Sequence, residues 1–316
     1  MTGAAGRNVS AIRGGAVTLS AAADEFLSAP RMSNPNTRRA YAGAIDRTIA
    51  VLGPGRLLTD VSDDEVGAAA VQLWGGRAEA TWNRNRAAIG SWLTWCQTRK
   101  RWPAPSVPAD CERRREHPGQ ARAVPKAAIE RLLTRRDIPL REKTLWRMLY
   151  ETAARTSEIL ALNVEDLDLE NRRAPIRSKG GAREEVWWGT GTARLLPRLL
   201  RLPDGTSRAS GPLFLSERKP VPARRPGPRD ICPHTGRARL GYDRCRALLR
   251  NYTITTGGGW ELHQFRHSAA THLGDKKVPL QLIMAKTRHK SPRTAMRYIR
   301  PGGEAIAEVT ELLDPP

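Results

Sequence analysis

The sequence predicts a mainly α protein with one small β-hairpin, divided into two domains, and three observations predict it. Apolar residues recur at helical spacing over residues 17–102 and again beyond residue 126. A stretch with prolines at 103, 105, 108, 118 and 125 and the triplet Arg113-Arg114-Arg115 separates those two runs. Alternating apolar residues, the mark of a strand, are confined to residues 167–188 around the turn-like Lys179-Gly180-Gly181. A chain of 316 residues has room for two such cores.

Element by element, residues 1–16 are rich in Gly, Ala and Ser and are expected to form a mobile tail. In the first domain, residues 17–102, Leu19, Ala22, Ala23 and Phe26 share a helical face. Ser33-Asn34-Pro35-Asn36-Thr37 then breaks the chain and caps a helix bearing Tyr41, Ile45 and Ile49. Asp60 to Glu65 starts a third helix, and Ile89, Trp92, Leu93 and Cys96 line a fourth. Residues 103–125 cannot bury themselves and read as an exposed basic linker. The second domain, residues 126–316, opens with helices over 126–133 and 142–152, and the hairpin follows. Residues 201–250 hold eleven Arg, one Lys and four acids, and 216–238 within them read as a long basic loop ordered only on its partner. Further helices are expected over 242–251, 261–273, 279–285 and 293–299, the last with Ser291 as cap and Pro292 at its first position. An amphipathic helix over 304–313 ends the chain.

Fifty-three Lys and Arg against thirty-two Asp and Glu leave a net charge of +21, a field that calls for a polyanionic partner. The 40% apolar content supports a packed, folded chain and excludes a disordered one. No apolar run approaches the roughly 18–20 residues of a membrane span, and the N-terminus lacks the apolar stretch of a signal peptide, so no membrane partner and a cytoplasmic location are expected. Four cysteines at 96, 111, 232 and 245 are too sparse for a disulfide framework. Cys232, His234 and Cys245 lack paired metal-ligand spacing, and Gly257-Gly258-Gly259 lacks the Lys-Ser of a nucleotide loop, so neither metal nor cofactor is expected.

The chemistry-bearing residues fall in separate stretches. His263, Arg266 and His267 stand at i, i+3 and i+4 and so share a helix face, which fits a polar surface as well as a site. Arg155 lies between two helices, with Thr156 or Ser157 as the cap of the second and Glu158 in its first turn, a place where anions bind well. Lys179, the sole lysine between Lys143 and Lys219, occupies a hairpin tip, where a proton donor and an ordinary turn lysine look alike. His289 precedes by nine residues a tyrosine, Tyr298, set among Arg293, Arg297 and Arg300, a position that also suits half-buried packing.

Taken in order, Arg155 in Arg-Thr-Ser-Glu-Ile-Leu, Lys179 in Ser-Lys-Gly-Gly, His263-Gln-Phe-Arg266-His267, His289 and Tyr298 resemble the motif set of the tyrosine recombinases, or phage integrase family. Pro35-Asn36-Thr37-Arg38-Arg39-Ala40-Tyr41 resembles a signature of the family's first domain. The resemblance implies a helical core-binding (SAM-like) domain followed by a mixed α/β catalytic domain, clamped around double-stranded DNA. Two departures stand out: Thr287-Arg288 occupies the place of the family's usual Leu-Gly before His289, and Ala153-Ala154 precedes Arg155 in place of Gly-Leu or Gly-Met.

The resemblance further implies that Tyr298 attacks the scissile phosphorus to give a 3′-phosphotyrosyl link and a free 5′-hydroxyl. Arg155 and Arg266 would hold the non-bridging oxygens, His263 would accept the phenolic proton, Lys179 would protonate the leaving oxygen, and His289 would donate a hydrogen bond to the phosphate. Glu158 or His267 would orient these groups. No metal enters this scheme, since arginines stand where divalent ions act in other nucleases. The implied assembly is a homotetramer on two DNA sites, with an accessory DNA-bending protein as a further partner and a nucleoid-associated location. Integration, excision and resolution of a DNA element all use this chemistry. Type IB topoisomerase-like relaxation and a catalytically silent architectural DNA-binding protein are the competing readings.

Overall fold

A computed structural model describes residues 17–116, 123–178, 181–296 and 310. The chain divides into two compact units, Met1–Gly119 and Gln120–Pro316. The expected N-terminal tail and C-terminal helix over 304–313 lie outside the described residues, apart from residue 310.

The first unit is built from α1 (Leu19–Ser28), α2 (Pro35–Leu52), α3 (Asp63–Trp74) and α4 (Glu79–Arg99). Local chemistry fixes their starts. Asn34 Oδ1 accepts from the backbone N–H groups of Asn36 and Thr37 at 3.0 and 3.3 Å, with Pro35 in the first turn where its missing N–H costs nothing. Ser62 and Glu65 form a reciprocal capping box on α3. The apolar faces meet in one core around Phe26, Ile45, Ile89, Trp92 and Leu93.

Residues 103–116 correct the expectation of an exposed linker, because they lie along the first unit as a strap. Trp82 Nε1 donates to the Glu112 carbonyl at 2.9 Å, and Asn83 exchanges hydrogen bonds with the backbone of Arg114 at 2.8 Å each way. The Arg114 guanidinium stacks 4.2 Å from the centroid of the Trp82 ring, and Cys111 is 4% exposed. Gly67 admits the strap, since a Cβ there would stand 2.9 Å from the Pro108 ring. Proline-rich composition therefore marks an extended segment here, while α4 supplies the donors that hold it.

The second unit runs α5 (Lys126–Thr134), α6 (Leu140–Thr152), α7 (Thr156–Ala161), β1 (Arg173–Arg177), β2 (Arg183–Trp187), α8 (Thr190–Leu200), α9 (Tyr242–Gly257), α10 (His263–Gly274), α11 (Leu280–Thr287) and α12 (Pro292–Ala295). The two strands pair antiparallel, Arg173 opposite Trp187 and Arg177 opposite Arg183. Trp146, Phe214 and Phe265, each at most 1% exposed, centre the core. Helix α8 has no counterpart in the sequence reading, which Pro197 in its interior explains. It forms because Leu196 and Leu200 bury and because Glu151 of α6 accepts the N–H groups of Gly189 and Thr192 at its start. Gly191 is needed there, since a Cβ would lie 2.4 Å from Glu151 Oε1.

The loop over 216–238 differs from a segment ordered only by a partner, because it is held by its own contacts. Bridges pair Leu215 with Arg239 and Ile231 with Ala238, and Cys232 is fully buried. At its base the Arg239 guanidinium donates to the carbonyls of Leu160 and Leu162, to Asn163 Oδ1 and to Asp230, all within 2.9 Å. One half-buried fork thus does the work that a hydrophobic face does elsewhere.

Candidate active site

Arg155 is placed by the turn between α6 and α7. Thr152 Oγ donates to the Met148 carbonyl at 2.6 Å and accepts the Ala154 N–H at 3.2 Å, which closes α6. Ala153 follows in the left-handed region at φ 51° and is fully buried. Arg155 then stands extended at the N-cap of α7, which corrects the expectation that Thr156 or Ser157 caps the helix. Glu158, three residues on, accepts the Arg155 N–H at 2.8 Å and its Nη1 at 2.7 Å, so one carboxylate fixes both backbone and guanidinium. Arg155 keeps 36% of its side chain exposed whereas Glu158 keeps 4%.

Helix α10 brings the second guanidinium to the same turn. Arg266 is 3% exposed and its Nη1 donates to the Ala153 carbonyl at 2.8 Å. His263 begins the helix on its outer side, and His267 is half-buried. The three residues spaced for one face are therefore sorted by depth. Behind them Ser268 Oγ accepts the Val124 N–H at 2.8 Å, fixing the helix to the start of the unit.

The end of α11 supplies the fourth group. Thr287 is fully buried, and its hydroxyl lies 2.7 Å from the Ile283 carbonyl and 2.8 Å from His289 Nδ1. A hydroxyl has one proton, and two acceptors do not approach to 2.7 Å without one between them, so Thr287 donates to Ile283 and accepts from His289 Nδ1–H. That places the lone pair of the neutral ring on Nε2. Arg288, between them, has φ 56°, a conformation that costs an L-residue roughly 1–2 kcal/mol. Its Nη2 donates to Glu158 Oε2 at 2.8 Å and its Nε lies 3.5 Å from Glu184 on β2. Arg288 and His289 border a hollow of about 520 Å³ beside Glu184, Trp187 and Met284.

These groups feel one another. Partial burial, then the charges of Arg266, Arg155, His263 and Arg288, hold the His289 imidazole down to about 4. Burial with Arg266 and Arg155 lowers His263, and burial with His263 lowers His267. Glu158 is held below the ordinary carboxylate range: burial opposes ionisation, but the Arg155 hydrogen bonds and the charges of Arg288 and Arg155 outweigh it. The result is neutral imidazoles among fixed cations at neutral pH, an arrangement suited to an anion with dispersed charge and to accepting a proton.

The structure thus brings Arg155, His263, Arg266 and His289 together from three separate stretches of sequence, with Glu158 beneath Arg155. Lys179 and Tyr298 lie outside the described residues. On either side of the hairpin turn, Ser178 N–H donates to the Ala182 carbonyl at 2.9 Å and Gly181 takes φ 85°. Thr287 and Arg288 are the residues sequence reasoning missed; their signal was the departure from Leu-Gly before His289. Among the described residues all four cysteines are buried and unpaired, no cluster of three His, Cys, Asp or Glu is arranged for a metal, and no helix is long and apolar enough to cross a membrane.

Comparison with known proteins bears on the chain as a whole. The profile of the phage integrase family matches residues 122–303. Tyrosine recombinase XerC of Mycobacterium sp. (strain JLS) is 26% identical over 295 residues, covering 87% of this chain and 91% of its own. The protein of the same name from Mycobacterium tuberculosis (strain ATCC 25177 / H37Ra) is 25% identical over 317 residues, covering 92% and 97%. Among solved structures, the Tn1549 transposon integrase in complex with a circular intermediate DNA superposes with a TM-score of 0.69 at 13% identity, covering 94% of this chain and 99% of that one. A lambda integrase dimer bound to a core site gives 0.67 at 15% identity, with 90% and 78% covered.

Proposed function

The chain belongs to the phage integrase family, the tyrosine recombinases, and on that premise we propose that it cuts and rejoins double-stranded DNA through a 3′-phosphotyrosyl intermediate on Tyr298. The observation that carries the reading is the convergence of Arg155 and Arg266 on one turn, with His263 and His289 both depressed by those two charges.

The phenolic oxygen of Tyr298 attacks phosphorus, the P–O5′ bond breaks, and the phosphoryl group stays on the enzyme. Arg155 and Arg266 hold the non-bridging oxygens, where charge grows in the transition state. His263 takes the phenolic proton; burial, then the charges of Arg266 and Arg155, lower its pKa, and those two charges favour the phenolate as well. Lys179 gives a proton to the leaving 5′-oxygen. His289, with Nδ1–H committed to Thr287, meets the phosphate through Nε2, and donates there once the phosphate's charge has drawn a proton onto the ring. The 5′-hydroxyl of another strand reverses the attack.

The same reading assigns the first unit to core DNA binding and the second to catalysis, with a homotetramer on two sites as the active assembly. A DNA-bending accessory protein, a mobile element as substrate and a location on the nucleoid belong to it too. The solved lambda integrase tetramer bound to a Holliday junction, at 15% identity, supports the assembly proposal.

The test expresses the chain and Tyr298→Phe in cells carrying candidate DNA, denatures, recovers only covalently held DNA and sequences its ends. A sharp set of ends present with the parent and lost with Tyr298→Phe is expected. Duplex binding by both without covalent capture by either would overturn the reading in favour of a DNA-binding architectural protein.

A further inference from the structure

We propose that Arg288 is a positioning residue for the strand-transfer reaction: it hydrogen-bonds Glu158 and takes up its charge, with Glu184 of β2 at ion-pair distance, so that Glu158 orients Arg155 without neutralising it. The inference rests on the strand-transfer reading and adds a residue to it.

Four observations carry it. Arg288 adopts φ 56°, a backbone that glycine takes without strain, so its side chain must offset what its conformation costs. That side chain is 7% exposed and reaches two carboxylates on separate elements: Glu158, 4% exposed on α7, at 2.8 Å, and Glu184 on β2, at 3.5 Å. Being turned inward onto carboxylates, it is not a phosphate contact. The other oxygen of Glu158 holds the Arg155 guanidinium at 2.7 Å. Finally, Arg288 adjoins His289 and closes α11, so one guanidinium links α7, the hairpin bearing Lys179 and the segment bearing His289.

The charge balance gives the reason. Arg155 and Arg288 against Glu158 and Glu184 sum to zero. Without Arg288 the same cluster carries one net negative charge beside the place a phosphate must enter, and Glu158 answers Arg155 alone. Lysine carries the charge but lacks the planar guanidinium that sets its donor 2.8 Å from Glu158 while keeping the charge 3.5 Å from Glu184. A second tie holds the segment, because Lys286 Nζ donates to the Trp187 carbonyl at 2.7 Å and joins α11 to β2.

The experiment uses the full chain and a duplex bearing a site recovered by covalent capture. It measures the duplex Kd, the rate of covalent complex formation at saturating duplex, and the thermal unfolding midpoint for the parent, Arg288→Gly and Arg288→Lys. For Arg288→Gly the expected result is a Kd within about threefold of the parent and a midpoint within a few degrees, glycine relieving the left-handed strain. Its rate of covalent capture should fall about 30-fold, with Arg288→Lys recovering part of the loss through its charge. A rate within twofold of the parent for Arg288→Gly overturns the inference alone. So does a loss that Arg288→Lys leaves unrelieved, or one that merely follows a fallen midpoint. A parent that binds the duplex but forms no covalent complex overturns the strand-transfer reading, and this inference with it.

Discussion

Arg155 and Arg288 sit on the two oxygens of one carboxylate, Glu158, and serve it in opposite ways. Arg155 keeps 36% of its side chain in solvent and stands at a helix N-terminus; Arg288 keeps 7% and stands at a helix C-terminus in a left-handed turn. The first is oriented by Glu158, the second compensates it. In a chain with forty-four arginines the lesson is that charge does not assign a role. Burial, backbone conformation and the number of carboxylates reached do.

The largest effect that sharpens this contrast is on chemistry. Arg155→Ala is expected to slow covalent complex formation at saturating DNA by about 10³-fold, the scale of a lost donor to a developing oxyanion. That is well beyond the loss at Arg288, and single-turnover kinetics on both variants decide it. Equal losses would erase the distinction between contact and positioning.

Next comes Glu158→Gln, which strikes both arginines at once. Removing one partner from a buried ion pair leaves the other uncompensated, at a cost of about 3 kcal/mol. Urea unfolding should show Glu158→Gln losing more stability than Arg288→Gly, since the former takes the hydrogen-bonded carboxylate from the buried Arg288 guanidinium and leaves only Glu184 at 3.5 Å, whereas after the latter Glu158 still holds Arg155. The opposite order would contradict the assignment of Arg288 to Glu158.

A third prediction concerns pH. The free pKa of His289 is lowered to about 4 from an ordinary 6.5, so its proton is bound in the unfolded chain before it is bound in the folded one. Its contribution to stability is complete above about pH 6.5 and is lost as pH falls toward 4. His263, His267 and His272 are shifted the same way and steepen the slope. Urea midpoints from pH 8 to 4 should fall in that window, less for His289→Gln than for the parent. An identical slope in the variant would mean that the surrounding arginines do not press on this ring.

The smallest effect comes from a third arginine with no place near the reaction. Arg239→Ala should leave the cleavage rate within about threefold while exposing residues 216–238 to trypsin, because the fork that closes the loop is gone. Unchanged protection would show that the loop's own bridges suffice.

Much of this was legible in the sequence. Helical spacing located the first four helices, and Lys179-Gly180-Gly181 located the hairpin, because period and turn chemistry act locally. Arg155, His263, Arg266 and His289 were legible as an ordered set, and the structure brings them into one electrostatic neighbourhood. The strap over 103–116 was not legible: its prolines report an extended backbone, whereas its place depends on Trp82 and Asn83, which stand on α4 30 and 31 residues before the residues they hold. Helix α8 was hidden by Pro197 and revealed by Glu151, a cap supplied from another helix. Arg288 was visible as an oddity and unreadable as a role, since the carboxylates that explain it lie 130 and 104 residues away in the chain.

The central claim is a covalent bond between Tyr298 and DNA, and the most direct measurement is mass analysis of the captured complex after nuclease and protease digestion. A nucleotide adduct is expected on the peptide containing Tyr298, absent from Tyr298→Phe. An adduct on any other peptide, or one that persists in Tyr298→Phe, would contradict it.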